Sequence, residues 1–443
     1  MIGTPATLEQ ILANKERRFH KQQELLKRFS SSFLISLSIN TPSAIKLSHE
    51  SLVIFESAYE TILKLLKQTD IELLLVDSYQ QITGVEALWV CKGDAKSLKI
   101  ATCKLEEEHP LGRLMDIDVF EVTGTLLSRT QFGFAKRRCL LCNEQAIICA
   151  KEQRHSYEAL NSHIKVLVHK HAFDASIALW CERAMQKEVE LTPKPGLVDR
   201  ANTGAHADMN IATFYASIKA IKPFIVDFLR VKPVTFDALR RLGMLCEEAM
   251  FRATKGVNTH KGMIFCLALS CGAIAKIKQA QQPLTRHAIQ QEIKALSQGL
   301  VEKDLRLAKP DSAGARFFYE TGSLGIRGEA QSGFALVFEE SLPFFESQKA
   351  LFGEDKALKM TLLWLMARLE DSTLWSRGGM EGLTYVKQKA EKILACVIKE
   401  PEALEAYLWA FDEDLIQRHL SPGGSADLLA LTWLFAHLKT VNL

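Results

Sequence analysis

The sequence predicts a multi-domain protein, with an N-terminal α/β (α+β) domain over residues 1–172 and an all-α domain over residues 173–443. Hydrophobic periodicity supports this division. Before about residue 130, short strand-like runs are interspersed with helical patterns. After about residue 172, apolar residues recur three and four positions apart and the strand signal nearly disappears. A length of 443 residues also suits two or three domains.

The first domain contains two helical patterns and several candidate strands. Apolar spacing of three and four predicts helices over residues 8–29 and 51–67. Short runs rich in Ile, Leu and Val predict strands over 33–39, 71–76 and 98–103, and a hairpin that joins 114–122 to 125–128 across Thr123-Gly124. Mixed strands and helices of this kind favour an α/β or α+β domain.

The second domain is predicted to be helical throughout. The helical pattern is clearest in the segments 177–184, 214–224, 345–370, 383–399 and 425–439. The longest apolar stretch, 263–275, falls short of the ~20 residues that cross a bilayer, so a buried helix is expected there. The polar, His-rich segment 151–171 is the predicted junction between the domains.

Composition excludes several classes of protein. Lys and Arg total 55 against 52 Asp and Glu, and 47% of residues are hydrophobic. These values exclude global disorder and a general nucleic-acid-binding protein. Residues 1–29 lack the apolar core of a secretion signal, so we expect a cytoplasmic protein with no membrane partner. The ten scattered Cys are then expected to be reduced thiols.

Two aspartates in the segment HPLGRLMDIDV, residues 109–119, are the candidate catalytic residues of the first domain. On a strand, Asp116 and Asp118 point to the same face, about 6.6 Å apart. Neighbouring carboxylates repel each other unless a cation lies between them, and Mg²⁺ prefers oxygen ligands. Asp116 and Asp118 are therefore predicted to bind Mg²⁺, with Arg113 on a phosphate. A surface strand with two solvated aspartates is the alternative.

Residues that suit zinc follow downstream: Cys139, Cys142, Cys149 and His155. Three thiolates and an imidazole can hold tetrahedral Zn²⁺. However, no second Cys-x2-Cys pair exists, and Cys149 lies in an apolar run, so simple packing of the thiols is the favoured alternative. The basic residues Arg129 and 136–138 would bind phosphate or an acidic partner, or form a solvated surface.

Five polar, glycine-containing loops interrupt the second domain: 188–208, 256–262, 321–330, 371–379 and 421–427. The loop 256–262 opens a helix whose N-terminus would form an anion cradle. The loop 321–330 does not match a Walker A motif, since no Lys-Ser/Thr follows at the required spacing. Together the loops predict a phosphate-rich ligand held by Arg, Lys and a metal ion.

These motifs resemble two known families. The segments GVNTHKG, GIRGEA, EVELTPKPGLVDR and SPGGSADLLALT resemble triphosphoribosyl-dephospho-CoA synthase. HPLGRLMDIDVF and RRCLLC resemble the apo-citrate lyase phosphoribosyl-dephospho-CoA transferase (holo-citrate lyase synthase). The chain is therefore similar to a fusion of the two, over about residues 1–170 and 175–443. One departure is Asp371-Ser372-Thr373, where the synthase family reads Asp-Thr-Asn.

The resemblance implies two consecutive reactions. In the helical domain, a ribose hydroxyl of 3′-dephospho-CoA attacks the anomeric carbon of ATP and adenine leaves, while the triphosphate stays on the product. The first domain, with a nucleotidyltransferase-like fold, then transfers phosphoribosyl-dephospho-CoA to a serine of the acyl carrier (gamma) subunit of citrate lyase. Pyrophosphate leaves in this second step. ATP and 3′-dephospho-CoA are thus the expected substrates and Mg²⁺ the expected cofactor.

The resemblance also suggests residue roles. Glu190 or Asp208 would be the base of the first reaction, and His206 or Glu329 the acid. Phosphates would be bound by Lys194, Arg200, Asn258, His260, Lys261, Arg327 and Arg377. Asp199 and Asp371 would hold Mg²⁺ in the helical domain. In the first domain, Asp116 and Asp118 would hold Mg²⁺ for the second reaction, with Arg113 on the leaving pyrophosphate.

Three alternatives stay open. The same chemistry could serve malonate decarboxylase instead of citrate lyase. The first domain could be a zinc-stabilised interaction module without catalysis. The helical domain could be a scaffold whose loops bind nothing, in which case ATP would not stabilise it.

Overall fold

The computed structural model describes residues 2–306 and 313–438. The chain divides into two compact units, unit 1 (residues 1–176) and unit 2 (residues 177–443).

Unit 1 combines helices with one small sheet. Its elements are α1 (Leu8–Arg28), β1 (Phe33–Ile39), α2 (His49–Lys67), β2 (Glu72–Gln81), β3 (Gly84–Lys92), α3 (Ala95–Glu108), β4 (Met115–Phe120), α4 (Ala146–Lys151) and the start of α5 (Tyr157–Glu190). The strand order is β2-β3-β1-β4, and every pairing is antiparallel. This sheet confirms the prediction of a mixed domain and makes it α+β.

The sheet has one apolar face and one mixed face because strand side chains alternate. Ile35 pairs with Trp89 on β3 and with Val119 on β4, and all three side chains are buried. Tyr59 of α2 packs on Trp89, with ring centroids 5.1 Å apart. On the opposite face, Leu25 of α1 belongs to a cluster of buried residues with Leu34, Leu88 and Val90.

Strand β4 lies at the edge of the sheet, and α3 satisfies its backbone there. Lys99 Nζ donates to the Ile117 carbonyl at 3.0 Å, and Ile117 N donates to Glu106 Oε1 at 2.9 Å. Both side chains are buried. These bonds occupy an edge that would otherwise offer unpaired donors and acceptors to another strand.

One strand prediction in unit 1 is wrong, and one strand was missed. Residues 98–103 lie inside α3, where Asp94 caps the first turn and buried side chains recur at helical spacing. The N-cap at Asp94 and the buried helical face favour a helix more strongly than the short alternation of apolar residues favours a strand. Strand β3 was missed because both of its faces are mostly buried, which removes the alternating pattern. The predicted hairpin is reduced to β4 and a single bridge from Phe120 to Leu126.

Unit 2 is helical, and its described residues contain no strand, which confirms the all-α prediction. Beyond the end of α5, its helices are α6 (Ile211–Arg230), α7 (Phe236–Ala253), α8 (Lys261–Gln279), α9 (Arg286–Leu296), α10 (Ala313–Thr321), α11 (Gly325–Gln331), α12 (Leu342–Phe352), α13 (Glu354–Arg368), α14 (Ser372–Val397), α15 (Leu404–Gln417) and α16 (Gly423–His437). The segment predicted as one helix over 345–370 is split at Gly353, whose φ is +81°. The predicted helix 425–439 is α16, and residue 439 lies outside the described residues.

Helix α8 forms part of the core of unit 2. It is the one helix in the described part of the chain that is long and apolar enough to cross a membrane by length and composition, yet 72% of that window is buried inside the protein. A buried helix is what the sequence predicts for 263–275. The polar segment 151–171, by contrast, is helical from Tyr157 onward and belongs to unit 1.

Candidate active sites

Asp116 and Asp118 lie on the same face of β4 in unit 1. They stand opposite Ser38 and Ser36 of β1, respectively. Burial raises the pKa of Asp118, and the neighbouring charge of Asp116 raises it further. A carboxylate whose ionisation is disfavoured in this way, as that of Asp118 is, suits a cation.

Arginines surround these aspartates. Arg137 Nη1 contacts Asp116 Oδ1 at 2.8 Å, and Arg137 also pairs with Glu106. Arg113 donates from Nη2 to the Arg138 carbonyl, and its Nε has no hydrogen-bond partner among the described residues. The pKa of Arg113 is lowered by burial and then by the charge of Arg137. This region of unit 1 therefore concentrates positive charge beside the aspartates, as an anionic substrate requires.

Glu106 was not identified from the sequence, where it is one of three consecutive glutamates after a predicted strand. Its side chain is only 3% exposed. It accepts from Ile117 N and pairs with Arg137 and, at 3.6 Å, with Arg129. Its burial could be detected only in the folded chain.

Replacing Glu106 by alanine is expected to destabilise unit 1 by about 1–3 kcal/mol, since it leaves the buried Ile117 N without its acceptor and removes one carboxylate partner from Arg129 and Arg137. Urea unfolding of the full chain, followed by hydrogen exchange of the unit 1 amides, would measure this change. Glu108→Ala, at an exposed position two residues away, is the matched control and should change little. Equal stabilities for the two variants would contradict the structural role of Glu106.

A third carboxylate lies on the same face of the sheet and was also missed. Glu86 of β3 pairs with Ser38, the residue that Asp116 faces from the other side. Arg17 and Arg18 of α1 both pair with Glu86. Glu86 is thus neutralised by protein cations.

The four predicted zinc-type residues converge in unit 1. Their ligand atoms all lie within 4.8 Å of one another. Cys142 Sγ is 3.5 Å from Cys149 Sγ and 3.3 Å from His155 Nε2.

In unit 2, the loop 188–208 is fixed largely by its own side chains. Lys194 is 1% exposed, and its Nζ binds the Glu188 carbonyl at 2.9 Å and the Glu188 carboxylate. Asp199 accepts from the backbone amides of Ala201 at 2.7 Å, Asn202 at 3.0 Å and Lys194 at 3.1 Å. Both oxygens of Asp199 therefore hold the loop, and these contacts give no support to the Mg²⁺ role predicted for it.

A distant carboxylate completes the anchoring of this loop. Asp412 accepts from Gly196 N at 2.8 Å and from Asn202 Nδ2 at 2.7 Å. Gly196 has a φ of +71°, and a Cβ there would lie 2.4 Å from the Leu420 carbonyl. The backbone position therefore requires glycine. Sequence reasoning missed Asp412 because it lies inside α15, far along the chain.

His206 is held between two partners, with Ser421 Oγ 2.8 Å from Nε2 and Arg377 Nη2 2.9 Å from Nδ1. Arginine can only donate, so Nδ1 accepts and Nε2 carries the proton that it donates to Ser421. Burial and the charge of Arg377 lower the pKa of His206 to about 4, although Asp208 at 3.9 Å acts in the opposite direction. A neutral histidine of this kind positions its neighbours, and these contacts do not support its predicted role as an acid.

This histidine makes stability pH-dependent. Its folded pKa lies below the unfolded value, so the unfolded chain binds more protons between those values and stability falls as the pH falls. Going from pH 7 to pH 5 should cost about 2 kcal/mol from His206. Urea unfolding of wild type and His206→Gln at both pH values would measure it as the difference in pH dependence. His287→Gln, at an exposed position, should retain the wild-type dependence. If His206→Gln retained it too, the assignment would be wrong.

Glu190, at the start of the same loop, forms an ion pair with Arg200. Glu190 Oε1 also accepts from the Tyr215 hydroxyl at 2.6 Å. Asp208, the other predicted base, is exposed, and among the described residues no Lys or Arg forms an ion pair with its carboxylate. The contacts thus favour Asp208 over Glu190 as the base.

The N-terminus of α8 brings together three predicted ligands. Asn258 Oδ1 accepts from Lys261 N at 3.2 Å, and Lys261 Nζ contacts Glu247 at 3.0 Å. His260 is 4% exposed, with Nδ1 2.7 Å from Ser217 Oγ. Its Nε2 is buried without a hydrogen-bond partner among the described residues. Burial, with the nearby Lys194, lowers the pKa of His260 to about 3.

Asp427 of α16 lies against this same helix end and is absent from the predicted ligand set. A Cβ on Gly262 would lie 2.0 Å from Asp427 Oδ2, so the carboxylate touches the helix backbone. Burial raises the pKa of Asp427, and the charges of Glu188 and Asp371 raise it further. In the described part of the chain Asp427 has no hydrogen-bond or ion-pair partner. A bare carboxylate beside two others suits a cation.

Glu329 of α11 lies near the same N-terminal part of α8 as Asp427. Burial and the charges of Asp427 and Glu329 raise the pKa of the buried Cys266 thiol of α8. Glu329 accepts from Leu336 N at 3.2 Å. Its own pKa is raised by burial, which suits a carboxyl group that donates a proton. Arg327, on the same short helix, contacts Asp304 at 3.6 Å.

Asp371 is the N-cap of α14. Its Oδ1 accepts from Thr373 N at 2.9 Å and from Leu374 N at 3.3 Å, while Oδ2 accepts from Ser425 N at 3.0 Å. Asp371 thereby fastens the loop 421–427 to the start of α14. As with Asp199, these contacts give no support to a metal-ligand role. The start of α14 also lines a cleft of about 410 Å³, to which α14 contributes Trp375 and α10 contributes Arg316 and Thr321, among others.

Comparisons with known proteins match both parts of the chain. The family described as ATP:dephospho-CoA triphosphoribosyl transferase matches residues 174–442, and the family described as apo-citrate lyase phosphoribosyl-dephospho-CoA transferase matches residues 6–171. The chain is 37% identical to "Protein CitXG" of Haemophilus influenzae, over 99% of this chain and 97% of that protein. It is 33% identical to "Protein CitXG" of Leuconostoc mesenteroides subsp. cremoris, over 98% of each.

Unit 2 has relatives of its own. A "Probable 2-(5''-triphosphoribosyl)-3'-dephosphocoenzyme-A synthase" of Albidiferax ferrireducens is 45% identical over 59% of this chain and 90% of that protein. The chain therefore belongs to the CitXG family of transferases, in which a phosphoribosyl-dephospho-CoA transferase domain precedes a triphosphoribosyl-dephospho-CoA synthase domain.

Proposed function

We propose that the two units catalyse consecutive steps in making and attaching the citrate lyase prosthetic group, each at its own site. For unit 2, the proposal rests on one observation. Asp427, Glu329, His260 and the Lys194–Glu188 pair all lie around the first turns of α8. The N-terminus of a helix favours phosphate, and these side chains add the acid and the carboxylates that displacement at an anomeric carbon requires.

In the first reaction, a ribose hydroxyl oxygen of 3′-dephospho-CoA forms a bond to the anomeric carbon of ATP, and the bond from that carbon to adenine breaks. Glu329 donates a proton to the departing adenine, because its raised pKa keeps that carboxyl protonated more readily. Asp208 takes the proton of the attacking hydroxyl. Lys261, Arg327 and Arg377 leave their carboxylate or carbonyl partners to bind phosphates.

Mg²⁺ fits the carboxylate of Asp427, whose pKa is raised by burial and by the nearby charges of Glu188 and Asp371, whereas Glu188 already has Lys194 as its cation. When bound, Mg²⁺ would neutralise the triphosphate. Asp199 and Asp371 act as positioning residues in this proposal, because their oxygens bind backbone amides. They hold the loops 188–208 and 421–427 in place for the ligands.

In the second reaction, the carrier serine oxygen forms a bond to a phosphorus atom and gives up its hydroxyl proton to solvent, while the bond from that phosphorus to the departing pyrophosphate breaks. Asp116 and Asp118 would hold Mg²⁺, and the ion would supply positive charge for the phosphates of the reaction. Arg113 and Arg137 bind the phosphates. An antiparallel sheet with carboxylates on one face supports a nucleotidyltransferase-like fold for unit 1.

The partner proposed for unit 1 is the acyl carrier subunit of citrate lyase. Lys136 and Arg138 are exposed beside the aspartates and suit an acidic carrier surface. The match to the apo-citrate lyase family supports this carrier over that of malonate decarboxylase. The ten free cysteines support a reducing compartment, and we propose the cytoplasm.

The test is adenine release from ATP by the full chain with Mg²⁺ and 3′-dephospho-CoA. Adenine should appear only when dephospho-CoA is present, together with a product heavier by a triphosphoribosyl unit. Adding apo-carrier from citrate lyase should then yield labelled carrier and pyrophosphate, whereas the malonate decarboxylase carrier should react poorly. A folded, Mg²⁺-supplied protein that releases no adenine would refute the proposal for unit 2.

A further inference from the structure

The segment 121–156 of unit 1 is held in place with almost no hydrophobic core. Its only buried hydrophobic side chains are Leu127 and Cys149. Regular structure is limited to the turn of 3₁₀ helix Arg129–Phe132 and the six residues of α4. Chain segments that cannot bury apolar surface need another source of stability, such as a disulfide or a metal ion.

Nevertheless, this segment supplies the cations of the candidate transferase site. Arg137 contacts Asp116 and Glu106, and Arg129 contacts Glu106 as well. The Arg138 carbonyl accepts from Arg113. The position of these groups therefore depends on whatever fixes the chain immediately after Arg138.

The chain immediately after Arg138 forms a tight hairpin around two thiols. Arg138 and Gln145 form an antiparallel bridge, and Cys139 N donates to the Glu144 carbonyl at 2.7 Å. The amide of Leu141 points at Cys139 Sγ, with a distance of 3.5 Å. Amides aimed at a sulfur stabilise it as a thiolate, the form in which cysteine binds metals.

Two further ligands close the group. Cys149 comes from α4, and His155 comes from the turn that follows, where Arg154 N donates to the Cys149 carbonyl at 3.1 Å. With Zn–S near 2.3 Å and Zn–N about 2.0–2.1 Å, tetrahedral ligand atoms lie roughly 3.5–3.8 Å apart. The contacts of Cys142 at 3.5 Å with Cys149 and 3.3 Å with His155 are near these values.

We propose that Cys139, Cys142, Cys149 and His155 bind one structural Zn²⁺ ion, which fixes the arginine-bearing segment against the aspartates of unit 1. A Cys₃His site with four protein ligands leaves no open position, so the ion is structural and takes no part in the chemistry. The functional part of this inference, the effect on transfer, rests on the proposed function of unit 1. The prediction that the chain binds zinc does not depend on that proposed function.

The first test is the zinc content of the full chain, measured by mass spectrometry after tag removal and dialysis. We expect about one zinc per chain, and visible absorption typical of tetrahedral cobalt thiolate after growth with Co²⁺. Cys142→Ser should lose the metal. Cys396→Ser, at an exposed thiol in unit 2, should keep it. A folded wild type without zinc, or a Cys142→Ser variant that retains it, would overturn the proposal.

The second test separates the metal site from the chemistry. His155→Cys offers a four-thiolate site and should keep both zinc and transfer to the carrier, which also guards against a general folding defect. Cys142→Ser should lose at least tenfold in carrier transfer. Its adenine release should stay at the wild-type rate, because the proposed site of adenine release lies in unit 2. If the wild type binds zinc but transfers nothing to any carrier, the zinc site stands and the proposed function of unit 1 fails. Full transfer by zinc-free protein would refute the structural role.

Discussion

Asp427→Asn is expected to reduce adenine release by about 10²–10³-fold, the equivalent of the several kcal/mol that a bound metal ion supplies. The substitution keeps the size of the side chain and removes its charge. Asp427 touches the helix backbone at Gly262, and within the described residues it has no protein partner to lose. The variant should therefore fold normally, and raising the Mg²⁺ concentration should restore part of the activity.

The control for this variant is Asp237→Asn, an exposed aspartate in the first turn of α7. It should release adenine at the wild-type rate. Asp427→Asn should also still transfer a supplied triphosphoribosyl-dephospho-CoA to the carrier, since that step belongs to unit 1. An Asp427→Asn variant with unchanged adenine release and Mg²⁺ dependence would remove Asp427 from the site.

Asp118→Asn is expected to reduce carrier transfer by at least about 10²-fold, again because a metal ligand is lost. Its carboxylate lies beside Asp116 on β4, and burial together with that neighbour already raises its pKa. Replacing it with a neutral amide removes this repulsion, so the unfolding free energy should not fall. Labelled carrier formed from purified triphosphoribosyl-dephospho-CoA would measure transfer alone.

Adenine release is the internal control for Asp118→Asn and should be unaffected. Asp77→Asn on β2, which lies outside the aspartate pair, is the matched variant and should transfer normally. Loss of both activities in Asp118→Asn would contradict separate sites. Normal transfer by Asp118→Asn would instead support the alternative that β4 is a surface strand with two solvated aspartates.

Much of the fold could be predicted because hydrophobic periodicity is a local property. The pattern of α1, α2, β1 and β4 appears directly in the sequence, and so does the change to an all-helical chain after about residue 172. Strand β3 was not predicted because a strand buried on both faces does not show alternating apolar and polar residues. Residues 98–103 were wrongly predicted as a strand from a short apolar run, whereas they form part of the capped helix α3, which has a buried face.

The candidate sites were predicted less completely, for a different reason. The sequence identifies loops rich in acids but does not indicate which carboxylates are already bound. Asp371 accepts a hydrogen bond from Ser425 N, 54 positions further along the chain, and Asp412 accepts one from Gly196 N, 216 positions away. Such pairings depend on packing, so the sequence indicated Asp199 and Asp371 as metal ligands and did not single out Asp427.

The sequence by itself determined the division into a mixed and a helical part, the family resemblance of each, and the four residues of the Cys/His group. Those properties depend on residue order over short distances. Only the tertiary structure decided that Asp427 is bare, that Glu106 is buried beneath two arginines, and that His206 is held neutral. The reason is physical: burial and hydrogen-bond partners decide which charges remain for a ligand, and residues remote in sequence supply both.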